Sequence, residues 1–254
     1  MEAKQLIEAF PKEKRDRPTH DEYLRVSEFF YDTIQGEGIN LGHPSAFLRL
    51  QGCTLNCDWC DTTEVWRQGN PYTFDELYYL MGNNTIIRQL HSGQHLVITG
   101  GSPLLQQNEL VEFIFGFKRQ FGFKPYIEIE NECSLFPTSA LADIVDCWNN
   151  SPKLESSGNP LQRRYNPIII ADAASYLNSW FKFVITKPED WDEIEQRFLR
   201  PRYINRDQII LMPEGMTKID IERNTEMVVQ MAIRQGVLFR TREHIVLWDR
   251  KVGI

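Results

Sequence analysis

The sequence predicts an α/β fold, an incomplete (β/α)6-type TIM barrel with about six parallel strands. Short β-rich apolar runs recur along the chain, and several of them end in glycine-rich or polar turns. The segments between these runs carry apolar residues at helical spacing. In such a barrel, ligands bind on the loops that follow the carboxyl ends of the strands, so we expect the functional residues there.

Composition sets limits on class and partners. A chain of 254 residues with 42% apolar residues can bury a sizeable core. The formal net charge of −7, without a Lys/Arg run, argues against direct nucleic-acid binding. No window approaches the ~18 apolar residues of a membrane span. Five cysteines and no N-terminal stretch of signal-peptide type indicate a reducing, cytoplasmic location.

The elements follow in order along the chain. Residues 1–22 are charged and contain two prolines, which predicts a loosely ordered N-terminal extension. Residues 23–254 are expected to form one core domain, with an apolar tail over 244–254 docked on it. Strands are expected over residues 24–33, 46–52, 96–99, 125–130, 144–149, 180–186, 208–213 and 237–240.

Helices are expected after Thr73, Pro103 and Pro188 and over residues 221–235. Thr73 is a candidate N-cap, because an acidic first turn and an apolar helical face follow it. Residues 82–93 are interpreted as a polar connector, with His91 and His95 on the surface. Residues 155–166 are predicted to be a mobile loop.

A CxxxCxxC motif follows the strand at 46–52. Its residues are Cys53, Cys57 and Cys60. A structural zinc site needs four ligands, and no fourth ligand follows at a plausible distance. An iron–sulfur cluster with one open iron suits three thiolates better, although a disulfide loop, a reactive thiol or a zinc site completed from afar remain alternatives. Cys133 and Cys147 stand alone and are interpreted as ordinary thiols.

Three further features have a structural and a functional interpretation. The glycines around Glu37 would let the backbone approach a bound group, or would form a bare turn. Arg49 interrupts an apolar strand, where it would form an ion pair, lie in water at a sheet edge, or clamp a carboxylate with its planar fork. Asp61 and Thr62 by themselves would be turn or N-cap residues.

Together these segments resemble a known family. Residues 33–38, 47–53 and 60–62, followed in order by 97–103, 151–154 and 247–254, are similar to the 7-carboxy-7-deazaguanine synthases, which are radical S-adenosylmethionine (SAM) enzymes. The resemblance covers about residues 27–254. It implies a barrel of the radical SAM kind, and a [4Fe-4S] cluster on the three cysteines whose open iron is chelated by SAM.

The resemblance also implies a reaction and its partners. The reaction is the SAM- and Mg²⁺-dependent conversion of 6-carboxy-5,6,7,8-tetrahydropterin to 7-carboxy-7-deazaguanine with loss of ammonia, a step toward queuosine-type nucleosides. Cleavage of SAM would give a 5′-deoxyadenosyl radical, so no side chain is expected to act as an acid or base. An electron donor such as flavodoxin or ferredoxin and a homodimer are expected, with no nucleic-acid or membrane partner.

Site residues are carried over position by position. The resemblance assigns the Mg²⁺ ligand to Thr62, and it assigns SAM contacts to Trp59, Asp61, Gly100, Gly101, Ser102, Glu130, Ser151, Lys153, Met212 and Pro213. It assigns substrate contacts to Ile34, Gln35, Gly36, Glu37, Arg49, Thr99 and the terminal Ile254.

The sequence departs from the family pattern at two turns. The family usually has Gly-Gly-Glu-Pro, and here Ser102 replaces the Glu. After Glu130 the usual Thr-Asn-Gly-Thr is replaced, with Glu132 and Cys133 among the changed positions. Three alternatives therefore stay open: a radical SAM activase that makes a glycyl radical in a partner protein, a metal-bound structural or nucleic-acid module, and an inactive relative.

Overall fold

The computed structural model of the chain describes residues 4–19, 22–82 and 84–253. In these ranges, ten strands form one sheet in the order β1-β2-β3-β5-β6-β7-β8-β9-β10, and β4 pairs with β2 at the side. The strands are β1 (Lys4–Ile7), β2 (Tyr23–Ile34), β3 (Pro44–Leu50), β4 (Asn70–Thr73), β5 (His95–Gly100), β6 (Tyr126–Asn131), β7 (Cys147–Asn150), β8 (Ser179–Ile185), β9 (Ile209–Pro213) and β10 (Leu238–Phe239).

The strands from β3 to β10 in this order are all parallel to their neighbours. Strand β2 instead runs antiparallel to β1, β3 and β4. Strands β1 and β10 stand at opposite ends of the order and do not pair with each other in the described ranges, so the barrel is incomplete. The predicted fold class is thereby confirmed.

The helices cover the outside of the sheet and follow the predicted alternation. They are α1 (Thr63–Trp66), α2 (Phe74–Met81), α3 (Asn84–His91), α4 (Gln107–Phe121), α5 (Ser139–Ala142), α6 (Leu161–Arg164), α7 (Pro167–Ala174), α8 (Asp190–Ile194), α9 (Lys218–Gln235) and α10 (Glu243–Trp248). At the start of α2, Thr73 and Glu76 form the reciprocal capping box that the sequence predicts.

The core lies between these helices and the sheet. One buried cluster joins residues of β2, β3 and β5 with α2 and α4, and a second joins β8 and β9 with α7 and α9. On α4, the side chains at Leu110, Phe113, Ile114 and Phe117 are buried because they repeat every three to four residues along one face. No helix in the described ranges is long and apolar enough to cross a membrane.

Part of the segment 1–22, which is predicted to be a loosely ordered extension, is held against the sheet, whereas most of residues 8–19 are exposed and form no helix or strand. Strand β1 pairs with β2, and its Ile7 is buried in the first core cluster. Further along, the backbone N–H of Arg15 donates to Asn70 Oδ1 at 2.9 Å, and its side chain pairs with Glu76. An edge strand needs only a few apolar residues when its partner is long, and composition therefore gave little sign of it.

Two other local predictions also need correction. The expected connector over 82–93 contains α3, whose Ile86 and Leu90 are buried at helical spacing, and His95 is buried in β5 instead of lying on the surface. The expected mobile loop over 155–166 contains α6, where the buried Arg164 donates to the carbonyl oxygen of Asn159 at 3.1 Å. Burial of Ile86 and Leu90 orders the first segment, and the pairing of Arg164 with Glu193, 29 positions along the chain, helps to order the second.

Candidate functional site

A cavity of about 420 Å³ opens at the carboxyl ends of the parallel strands. Its lining includes Arg49 from the end of β3, Thr99 and Gly100 from β5, Glu130 from β6 and Lys182 from β8. The loops that follow β3 and β7 complete it, together with residues 249–253 of the tail. Parallel strands place such residues at one edge of the sheet, which is where the sequence predicts the site.

The cysteine motif lies on the loop after β3 and lines this cavity. Cys53, Cys57 and Cys60 are half-buried free thiols, so they form no disulfide. Asn159 Nδ2 donates to Cys57 Sγ at 3.2 Å, and Ser102 Oγ donates to Cys53 Sγ at 3.6 Å. Burial raises the pKa of the Cys53 and Cys57 thiols, and binding to iron would favour their thiolate forms.

These residues suit a cluster better than a single ion. In the described ranges, no group of three His, Cys, Asp or Glu side chains converges as the ligands of one metal ion must. A [4Fe-4S] cluster does not require that convergence, since each thiolate binds a different iron atom. Hydrogen bonds to the sulfurs and an adjoining cavity suit such a cluster.

The glycine turn after β5 packs directly against the cysteine loop. A Cβ on Gly101 would lie 2.3 Å from Cys53 Cβ, and one on Gly100 would lie 2.5 Å from the Leu50 carbonyl oxygen. Only glycine permits this approach. Ser102 follows with its Oγ accepting from the Thr54 backbone N–H at 3.0 Å, so the replacement for the family's Glu holds the cysteine loop and is absent from the cavity lining.

The altered turn after β6 contacts the same loop. Glu132 Oε1 accepts from Thr54 Oγ1 at 3.1 Å and from Ser134 Oγ at 2.5 Å. Glu132 lines the cavity, and its buried Oε2 has no hydrogen-bond partner in the part of the chain that the structure describes. Glu132, which the motif marks only as a departure from the family pattern, thus adds a carboxylate beside the cysteine loop.

An ion network lines the cavity and reaches the cysteine loop at Asp61. Glu37 accepts from Lys182 Nζ at 2.5 Å and from Arg242 Nε at 2.8 Å. Lys182 also pairs with Glu130, and Arg242 Nη2 lies 2.5 Å from Asp61 Oδ2. Burial raises the pKa of Glu37, but the charges of Lys182 and Arg242 outweigh it and hold that pKa well below its usual value.

Sequence reasoning missed Lys182 and Arg242. Lys182 interrupts the apolar run of β8 just as Arg49 interrupts β3, and the same argument about a buried charge would have found it. Arg242 carried no such signal, because it lies in a polar stretch between β10 and α10.

Arg49 forms an ion pair with Glu28, which is one of the three interpretations that the sequence allows for this residue. Its Nε donates to Glu28 Oε1 at 2.6 Å, and Glu28 is fully buried on β2. Burial lowers the pKa of Arg49, but the charge of Glu28 outweighs this and raises it. The guanidinium also lines the cavity, so its terminal nitrogens can face a ligand while Nε holds Glu28.

The remaining predicted residues divide into three groups. Ile34, Gln35, Gly36, Trp59, Thr62, Ser151 and Lys153 line the cavity. Thr62 holds the N-cap position of α1, but its side chain makes no capping hydrogen bond. Met212 is buried against Val184 and Ile210, and neither it nor Pro213 lines the cavity, where Met216 lies instead. Ile254 lies outside the described residues.

A three-cysteine loop at the ligand end of an incomplete parallel barrel defines an iron–sulfur enzyme of the radical SAM class. Residues 34–131 match the family described as a 4Fe-4S single cluster domain. The structure is similar to the crystal structure of QueE from Escherichia coli, with a TM-score of 0.64 and 21% identity over 87% of this chain and 95% of that one. That likeness supports the fold.

The sequence comparison identifies the family. The chain is 33% identical to the 7-carboxy-7-deazaguanine synthase of Pyrobaculum aerophilum, over 91% of this chain and 97% of the relative. It is 28% identical to the protein of the same name from Halobacterium salinarum, over 89% of this chain and 91% of the relative. The chain therefore belongs to the 7-carboxy-7-deazaguanine synthase family, which confirms the family predicted from the motifs.

Proposed function

We propose that this enzyme converts 6-carboxy-5,6,7,8-tetrahydropterin to 7-carboxy-7-deazaguanine with release of ammonia, using SAM and Mg²⁺. The observation that carries the proposal is one continuous cavity that joins the cysteine loop to Gln35, Glu37 and Arg49. Near full-length similarity to relatives with this name supports it.

The cofactor side of the cavity is suited to a cluster and SAM. Cys53, Cys57 and Cys60 would hold the [4Fe-4S] cluster, and when SAM is bound to its open iron the pair supplies the radical chemistry. Lys153 Nζ donates to Ser151 Oγ at 2.7 Å and lies 5.7 Å from the Trp59 ring, which places a cation where a carboxylate of SAM could be bound. A one-electron donor such as flavodoxin or ferredoxin would reduce the cluster.

The substrate side offers polar groups that complement a carboxypterin. Arg49 supplies a guanidinium for the substrate carboxylate, and Gln35 and Glu37 supply an amide and a carboxylate for the pterin edge. The Thr62 hydroxyl, which lies 3.8 Å from Cys60 Sγ, would bind Mg²⁺, an ion that keeps several waters and needs few protein ligands. The protein's part is orientation of the substrate and exclusion of water.

Turnover by the intact protein tests the proposal. Protein reconstituted anaerobically with iron and sulfide, then incubated with SAM, Mg²⁺, a reductant and carboxypterin, is expected to form 7-carboxy-7-deazaguanine, detected by mass spectrometry. Substrate-free protein is the control. Iron-loaded protein that cleaves SAM but leaves carboxypterin unchanged would contradict the proposed substrate and favour the activase or the inactive relative.

Arg49 is expected to dominate recognition of the substrate carboxylate. Removing Arg49 alone would leave Glu28 as an unpaired buried charge and destabilise the fold, so the test is the double variant Arg49→Met/Glu28→Gln. Its dissociation constant for carboxypterin should rise about tenfold or more, with SAM affinity nearly unchanged. Calorimetry measures both, and the exposed Arg25→Met is the matched control. An equal loss of both affinities would count against the clamp.

A further inference from the structure

Glu128 on β6 is a buried carboxylate that lies behind the predicted substrate residues. It is 0% exposed and does not line the cavity. Its Oε2 accepts from Asn40 Nδ2 and from His95 Nδ1, each at 2.9 Å. Its Oε1 accepts from Gln35 Nε2 and from Asn149 Nδ2. Four donors therefore saturate this carboxylate, as a buried charge requires.

His95 holds the Oε2 side of the Glu128 carboxylate in a fixed position. Its ring is stacked between His43, at 3.7 Å between centroids, and Tyr126, at 4.0 Å. Burial raises the pKa of Glu128, but the hydrogen bonds from His95, Asn40 and Gln35 outweigh it and hold the pKa below its ordinary value. Glu128 is therefore an ionised group that can only accept hydrogen bonds.

The ionised Glu128 fixes the orientation of the Gln35 side-chain amide. One Nε2 hydrogen is directed to Glu128 and the other to Glu130 Oε1, at 3.2 Å. The Oε1 atom accepts from the Glu37 backbone N–H at 3.2 Å, which uses one of its two lone pairs. A flipped amide would place oxygen against two carboxylates. The one hydrogen-bonding position left on this side chain is thus an acceptor.

We propose that Glu128, held by His95, is a positioning residue that fixes the Gln35 amide so that its oxygen faces the ligand, and that the site thereby selects an N–H donor on the ligand edge. The inference rests on the proposed function and sharpens it. The donor meant is the 2-amino group of the pterin: a carbonyl in its place would oppose the Gln35 oxygen, although the ring N–H groups of that analogue remain.

The test compares two ligands, carboxypterin and the analogue in which oxygen replaces the 2-amino group. Dissociation constants are measured by anaerobic calorimetry on reconstituted wild-type protein, Glu128→Gln, Gln35→Glu and the double variant. Wild-type protein should prefer the amino form by about tenfold or more, since the wrong ligand leaves buried polar groups unpaired. Glu128→Gln should lose part of that preference, because the amide at position 128 can also donate to Gln35, and the orientation then rests on Glu130 and the Glu37 backbone N–H.

The double variant Gln35→Glu/Glu128→Gln distinguishes a role in orienting the side chain at position 35 from a general disruption of the site. It keeps the net charge of the site and restores an acceptor at position 35, now held by a donor from position 128. We expect it to recover much of the preference, whereas Gln35→Glu alone places a third carboxylate beside Glu128 and Glu130 and should bind both ligands poorly. SAM affinity and melting temperature report folding, and Glu189→Gln, an exposed position, is the control.

Each outcome has a definite meaning. If folded Glu128→Gln keeps the wild-type preference, or loses affinity for both ligands equally while the double variant shows no recovery, the positioning role is overturned and the proposed function stands. If wild-type protein with a full cluster binds neither ligand, the positioning role of Glu128 and the proposed function are both contradicted.

Discussion

Cys57→Ala protein, purified without oxygen and reconstituted with iron and sulfide, is expected to lack the brown cluster and to cleave no SAM. Cys57 lies at the middle of the motif, with its Sγ accepting from Asn159 Nδ2 inside the cavity. Removing one of three thiolates leaves two ligands for a cluster that needs three from the protein. Visible absorbance, iron content and release of methionine from SAM measure the effect.

The control is another cysteine of the same chain. Cys147 is buried on β7 and does not line the cavity, so Cys147→Ala should keep the colour and the cleavage of SAM. If Cys57→Ala retained cleavage while wild-type iron content was normal, the cluster assignment would be wrong. Loss of colour in both variants would point to general loss of fold.

The parallel sheet and the position of the site could be predicted because their signals are local. The apolar run of β8, that of β9 and the glycine turn at the end of β5 each occupy a few consecutive residues, and parallel connectivity brings the strand ends together without further information. The cysteine spacing is local in the same sense. Each of these features can be recognised from a few consecutive residues.

The partners of the buried charges could not be predicted in that way. Gln35 meets Glu128 across 93 positions of the chain, and Glu37 meets Arg242 across 205. From a single sequence one can infer that a charge in an apolar strand needs a partner, but the partner residue itself cannot be identified. The same limit explains why His95 was expected on the surface: its environment is set by Glu128, His43 and Tyr126.

Lys182→Met is expected to destabilise the fold and to abolish substrate binding. Lys182 is 3% exposed and pairs with both Glu37 and Glu130, so its removal leaves two buried carboxylates with less compensating charge. Loss of one partner of a buried ion pair costs about 3 kcal/mol or more, which corresponds to a melting temperature lower by ~6–12 °C in a chain of this size. Thermal denaturation measures it, and the exposed Lys187→Met is the control.

A second substitution distinguishes lost charge balance from lost packing. Glu37 keeps Arg242 as a partner after Lys182 is removed, whereas among the described residues the partners left to Glu130 are the amides of Gln35 and Asn149. Lys182→Met/Glu130→Gln should therefore recover most of the melting temperature, because it removes the carboxylate that was left without a cation. If the double variant melted no higher than the single one, the stability would come from the aliphatic stem of Lys182 filling the barrel, and the ion network would serve only the ligand.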